Sequence, residues 1–118
     1  NGKLSFHAIG LGKITLTPQD IYACQTQQDT AGKNVSLMYV VDKKEYYRIP
    51  SALNSIYAMI NDENFVWINR NAFVNKTHIT DWEAIAQRGI VNVQGKSFEI
   101  SRRKRKELLN IQTKNLQV

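Results

Sequence analysis

Every apolar stretch of this chain is cut short within a few residues by Gly, Pro, Asn or Asp, and that punctuation constrains the fold most. Residues 4–17 (LSFHAIGLGKITLT) hold two short extended segments separated by Gly10 and Gly12. Glycine reaches positive φ at little cost, so a sharp turn or bulge is expected between them. Thr17-Pro18-Gln19-Asp20 follows as a turn, Pro18 lacking the N–H that a strand ladder needs. Residues 21–27 (IYACQTQ) and 35–41 (VSLMYVV) read as strands on either side of the polar loop 28–34. Asp42-Lys43-Lys44 is a tight turn, and residues 45–49 (EYYRI) return, giving 35–41 and 45–49 the β-branched and aromatic content of a hairpin.

Pro50 stops that strand, and Ser51 is a candidate N-cap whose hydroxyl can accept an orphan N–H of a first helical turn. Leu53, Ile56, Tyr57 and Ile60 then form one apolar stripe at helical spacing, short enough that packing onto a sheet must hold it. Residues 65–68 (FVWI) are extended, and Asn69-Arg70-Asn71 interrupts them before Ala72-Phe73-Val74. In residues 78–86 (HITDWEAIA) the spacing of Ile79, Trp82 and Ile85 suits helix and strand alike. We read a strand, because Arg88-Gly89 and Gln94-Gly95 then bound the alternating Ile90–Val93, and Ser97–Ile100 completes a meander. Ser101 is a second candidate N-cap, for a final helix to about Ile111. The expectation is a mostly β single domain over residues 1–118, with two short helices.

A chain of 118 residues can bury one modest core, and 42% hydrophobic with 22% charged residues is a globular composition. Cys24 is the sole cysteine, so no internal disulfide can form. It reads as a buried small hydrophobe in a protein of a reducing, cytoplasmic setting. No apolar run approaches the roughly 20 residues that span a bilayer. The sequence begins at Asn1 rather than Met, which leads us to expect a piece of a longer protein.

The net charge of +6 raises the prior for nucleic acid or anionic lipid, but its position says more. Arg102-Arg103-Lys104-Arg105-Lys106 places five cations in the first turn and a half of the helix expected after Ser101. Exposed cations there oppose the helix dipole at roughly 0.3–1 kcal/mol each. A phosphate would reverse that sign, whereas a merely solvated basic helix would bear it. Arg70, between two asparagines, suits the fork contact to a guanine edge and equally an ordinary surface site. Lys76 is a plausible phosphate contact, and Lys33 and Asn34 are by themselves ordinary loop residues. His7 and His78 are far apart and, with one cysteine, form no spaced ligand set, so neither a metal nor another cofactor is expected. No phosphate-cradling glycine motif or marked nucleophile–base arrangement is present, and nothing argues for an enzyme.

Residues 65–79 (FVWINRNAFVNKTHI) resemble the signature of LytTR DNA-binding domains: Phe, a few residues, His-Arg-Ser, a hydrophobic pair, Val-Asn and shortly an Ile. From Val93 to Lys106 an apolar strand, a turn with Gly95 and a strand ending in Ile100-Ser101-Arg102-Arg103 are similar to the family's closing element. The helix before Phe65, the aromatic hairpin before that helix, and Ile14-Thr15-Leu16 ahead of Asp20-Ile21-Tyr22 also fit, so the resemblance covers about residues 12–110. It implies an elongated fold of about ten short strands in small antiparallel sheets. It also implies the output domain of a bacterial transcriptional regulator, a response regulator of a two-component system when a receiver domain precedes it. Such domains put loop side chains into successive major grooves and commonly bind direct repeats as dimers. Carried over by position, the base contacts fall on Asn34 (with Lys33 as the near alternative), Arg70 and Arg102. Phosphate contacts fall on Lys33, Asn71, Lys76, Arg103, Lys104 and Lys106.

Three departures stand out. The loop 28–34 is longer than in some members, Asn69 and Asn71 replace His and Ser around Arg70, and Ala23-Cys24 replace a bulkier hydrophobe and Glu. Two other readings remain open at this point. One is a protein-interaction or anti-activator module that retains the fold. The other is a single-stranded nucleic-acid or RNA binder using Tyr22, Tyr39, Tyr46 and Tyr47 as stacking platforms.

Overall fold

A computed structural model describes residues 2–27 and 34–116. The hairpin of β1 (Leu4–Ala8) and β2 (Gly12–Leu16) comes first, turning through Gly10 and Gly12 at φ +86° and +84°. A 3-10 turn at Pro18–Asp20 leads into β3 (Ile21–Thr26), followed by β4 (Ser36–Val40) and β5 (Tyr47–Ile49). Helix α1 (Leu53–Ile60), β6 (Phe65–Asn69) and β7 (Ala72–Asn75) complete an antiparallel five-stranded sheet of order β5-β4-β3-β7-β6. β8 (Ile79–Thr80), α2 (Trp82–Arg88), β9 (Ile90–Val93) and β10 (Lys96–Glu99) build a second sheet of order β10-β9-β8, and α3 (Arg102–Leu116) closes the described chain. Ten strands in small antiparallel sheets match the expectation; the described residues hold three α-helices rather than two, and α3 is not short.

The large sheet is buried on both faces, which explains why β4 is apolar nearly throughout and shows little alternation. Met38, Phe73 and Phe65 face α1 and the β1–β2 hairpin, in a core with Phe6, Ile49 and Ile56. Leu37, Tyr39, Val74 and Ile68 face the other way, against Ile85, Val91, Val93 and Leu108 of the second sheet and its helices. Cys24 is fully buried, and burial pushes its thiol pKa up, in keeping with an inert small hydrophobe.

Two local expectations are corrected. Residues 78–86 are not one strand: the extended part ends at Thr80, Asp81 takes φ +51°, and α2 runs from Trp82 to Arg88. Ala84 and Ile85 supply its buried face, and Gly89 at φ +66° caps its end, so helical packing overrides the strand reading. Ser51 is not an N-cap either. Its N–H donates back to the Ile49 carbonyl, its own carbonyl accepts from Ser36 Oγ at 2.8 Å, and α1 starts after Ala52 without a side-chain cap.

Candidate nucleic-acid interface

Strand register brings three connecting segments to one end of the large sheet. Gln25 pairs with Ala72, and Thr26 N–H donates to the Asn71 carbonyl at 2.9 Å, so the end of β3 lies beside the β6–β7 turn. Ser36 pairs with Ile49, which delivers the start of α1 to the same end. Ser101 N–H donates to the Ile68 carbonyl at 2.8 Å and anchors the entrance of α3 there.

Asn69 shapes the turn that carries Arg70. Its Oδ1 accepts the Asn71 N–H at 2.7 Å, while its Nδ2 donates to the Glu99 carbonyl, also at 2.7 Å. The backbone on both sides of Arg70 is thereby held, and the Arg70 side chain is left exposed, without an ion pair or hydrogen bond among the described residues. Three open cavities meet around it. The first, of about 460 Å³, has Gln25, Thr26, Asn71, Ser97 and Glu99 in its walls. The second, of about 200 Å³, brings in the exposed Asn34, and the third, of about 580 Å³, brings in Ser101, Arg103 and Lys104.

The basic run is divided by the helix it starts. Ser101 is an N-cap as expected: its Oγ accepts the Lys104 N–H at 3.3 Å, and its carbonyl accepts the Arg105 N–H at 2.8 Å. Arg102, Arg103 and Lys106 are exposed. Lys104 is half-buried and pairs with Glu107 at 3.4 Å. Arg105 turns inward and donates to the Ala86 carbonyl near the end of α2, where a cation also meets the negative end of the helix dipole. Its role is to join two helices.

Asn34, Arg70, Asn71, Arg103 and Lys104 therefore border one connected set of cavities, and Arg102 extends from the same helix start although it lines none of them. Lys106, one turn further on, is outside them too. Lys76 is set apart. It follows β7 at the opposite end of the sheet, where Asn75 reaches the Ile21 carbonyl, about 17 Å from the Arg70 turn at strand rise. Lys33 lies outside the described residues. Of the tyrosines considered as stacking platforms, Tyr22 and Tyr39 are 4% and 7% exposed and pack against each other, so neither offers a face to a base. Burial raises both phenol pKa values. Tyr46 is exposed and Tyr47 half-buried, but Tyr47 starts β5 opposite Met38 and Tyr46 precedes it, on the side away from the Ser36–Ile49 pair and from Arg70. His78 bridges the Gln19 carbonyl (2.8 Å) and the Gln94 amide (2.9 Å), linking the 3-10 turn before β3 to the turn between β9 and β10.

A family model for the LytTr DNA-binding domain matches residues 12–112. The chain belongs to the LytTR family. Family membership makes it a DNA-binding domain of transcription regulation. Among solved structures, it is similar to the LytTr DNA-binding domain of a protein from Bacillus cereus described as a methyl-accepting/DNA response regulator. The TM-score is 0.69 at 10% identity, covering 93% of this chain and 95% of that one, so the LytTR fold is kept with little sequence in common. The search of curated proteins finds no match. No helix of the described residues is long and apolar enough to cross a membrane.

Within this LytTR domain, Asn69, Asn54 and Trp67 border the cavities around Arg70, yet charge scanning passes over them because all three are neutral. An Asx-turn pattern, Asn two residues before Asn71, is the signal that marks Asn69 as a turn former.

Proposed function

We propose that this chain reads double-stranded DNA sequence-specifically, as the output domain of a bacterial transcriptional regulator. Loop side chains from one end of the large sheet enter the major groove. The observation that carries the reading is Arg70: exposed, unpaired among the described residues, and held on a turn fixed from both sides by Asn69. An arginine so presented has its whole guanidinium fork available for the O6 and N7 of a guanine. Asn34 on one side suits an adenine edge, and Arg102 at the start of α3 supplies a second fork. Asn71, Arg103, Lys104 and Lys106 contribute phosphate contacts, which set affinity and orientation without sequence information. Lys33 keeps its place in the proposal through its position beside Asn34, while the remote position of Lys76 favours leaving it out.

Binding as a dimer to direct repeats, a receiver domain elsewhere in the full protein and a cytoplasmic location complete the proposal. They are supported by the family and by the response-regulator description of the Bacillus cereus protein. Selection from a random duplex library followed by footprinting tests it. A recovered motif repeated about one helical turn apart is the expected result. Retention of all duplexes equally, with a steep salt slope, would reduce the interface to polycation behaviour.

A further inference from the structure

We propose that the trough between α1 and α3 seats a sugar–phosphate strand of the bound duplex, with Asn54 donating to a phosphate oxygen. This rests on the DNA-reading role proposed above and extends the interface onto a helix not so far assigned to it.

The two sides of Arg70 differ in charge. The trough on the α1 side, about 580 Å³, is walled by Asn54, Trp67, Arg70, Ser101, Arg103 and Lys104, with no carboxylate among its lining residues. The trough on the other side, about 460 Å³, has Arg70 as its only cation and includes Glu99. A polyanionic strand is therefore favoured on the α1 side. Asn54 also borders the neighbouring cavity that contains Asn34, so it stands between the β3–β4 loop and the basic start of α3. It is exposed, and its side chain has no hydrogen-bond partner among the described residues. Trp67 is half-buried and packs against Tyr57 and Phe73, the three rings meeting pairwise at 5.2 Å between centroids, which backs the floor of the trough with an aromatic cluster. With a basic wall opposite and an aromatic floor below, the Asn54 amide is a neutral donor placed to hold a phosphate in register rather than to add charge.

The test uses the 118-residue chain and the duplex recovered by the selection described above, alongside a scrambled duplex of equal length. Asn54→Asp puts a carboxylate into the trough and is expected to lower affinity at least about tenfold for both duplexes. An acidic residue in the first turn of a helix does not destabilise it, so urea unfolding of this variant stays at or above the wild-type midpoint and separates lost binding from lost fold. Asn54→Ala is expected to lose about threefold to tenfold while the slope of log Kobs on log salt stays unchanged, whereas Arg103→Ala lowers that slope by about one. In a Trp82→Phe background Trp67 is the remaining tryptophan, and its emission changes as duplex saturates the chain.

Wild-type affinity in Asn54→Asp overturns the proposal. So does a loss confined to one base position, or an unchanged Trp67 emission at saturation. If wild type binds the selected duplex and Arg70→Ala erases its preference while Asn54→Asp has no effect, only this inference falls. If the wild-type chain retains no duplex, the DNA-reading proposal falls with it.

Discussion

The Asn69 side-chain amide donates to the Glu99 carbonyl at 2.7 Å, tying the turn that presents Arg70 to the segment that enters α3. A direct hydrogen bond thus joins two proposed contact regions, its partners thirty residues apart in sequence. Asn69→Ala removes this bond and the Asx-turn bond to Asn71 N–H. The site is partly exposed, so the expected stability loss is about 1 kcal/mol by urea unfolding. Discrimination between cognate and scrambled duplex should fall further than that small loss explains. Asn69→Asp keeps the acceptor for Asn71 but turns a carboxylate oxygen toward the Glu99 carbonyl and adds a negative charge beside Arg70, so it should lose at least as much discrimination as Asn69→Ala and also weaken binding to both duplexes.

Arg70→Lys keeps the charge and loses the planar fork. Affinity for scrambled duplex should stay within about twofold of wild type, while preference for the cognate falls by the roughly 1–3 kcal/mol that a bidentate base contact supplies. Equal weakening on both duplexes would make Arg70 a phosphate contact. Competition binding at fixed salt reads the difference.

Arg105 and Arg103 should separate by assay despite their near adjacency. Arg105→Ala loses the guanidinium bond to the Ala86 carbonyl and is expected to cost about 1–2 kcal/mol of folding stability, with little change in DNA salt dependence. Arg103→Ala should leave the unfolding midpoint near wild type and reduce affinity for every duplex. Paired urea titrations and salt-slope measurements check both.

Asn75 is fully buried, donates to the Ile21 carbonyl at 3.2 Å, and accepts from Thr77 N–H at 3.0 Å and Thr77 Oγ1 at 2.6 Å. Asn75→Ala strands these groups, and a loss of about 2–3 kcal/mol in chemical unfolding is expected. Asparagine in the resembling Val74-Asn75 pair is therefore a brace between β7 and β3, set apart from the proposed interface.

Burial raises the Cys24 thiol pKa in the folded chain above its unfolded value, so above about pH 8.5 the unfolded chain loses this proton first. The sign follows: stability is full below that pH and falls as pH rises toward the folded value. Tyr22 and Tyr39, also raised by burial, steepen the fall above about pH 10. Cys24→Ala should flatten the first part of the decline in unfolding midpoints between pH 8 and 10.

Much of this was legible in the residues because short-range chemistry decides it. Gly10 and Gly12 marked a turn between two extended segments, Leu53, Ile56 and Ile60 marked a buried helical face, and Ser101 marked a cap. Residues 78–86 were misread because Ile79, Trp82 and Ile85 fit both periods, and the decision between them comes from the docking of Ala84 and Ile85 against the second sheet. At the proposed interface, charge found the exposed arginines but not their sorting. Nothing local tells that Arg105 turns to a neighbouring helix, that Lys76 ends up remote from Arg70, or that Asn54 joins the cavities, because each depends on strand register and on which helix packs beside which.

The large sheet has one further consequence. Packed on both faces, it has no free side toward which to bend, so the turn bearing Arg70 and the end of β3 beside it keep a fixed offset. On the DNA-reading proposal such a frame behaves as a caliper. It can tolerate a changed base between its points at the cost of that base alone, but one inserted base pair shifts every later point off its mark together.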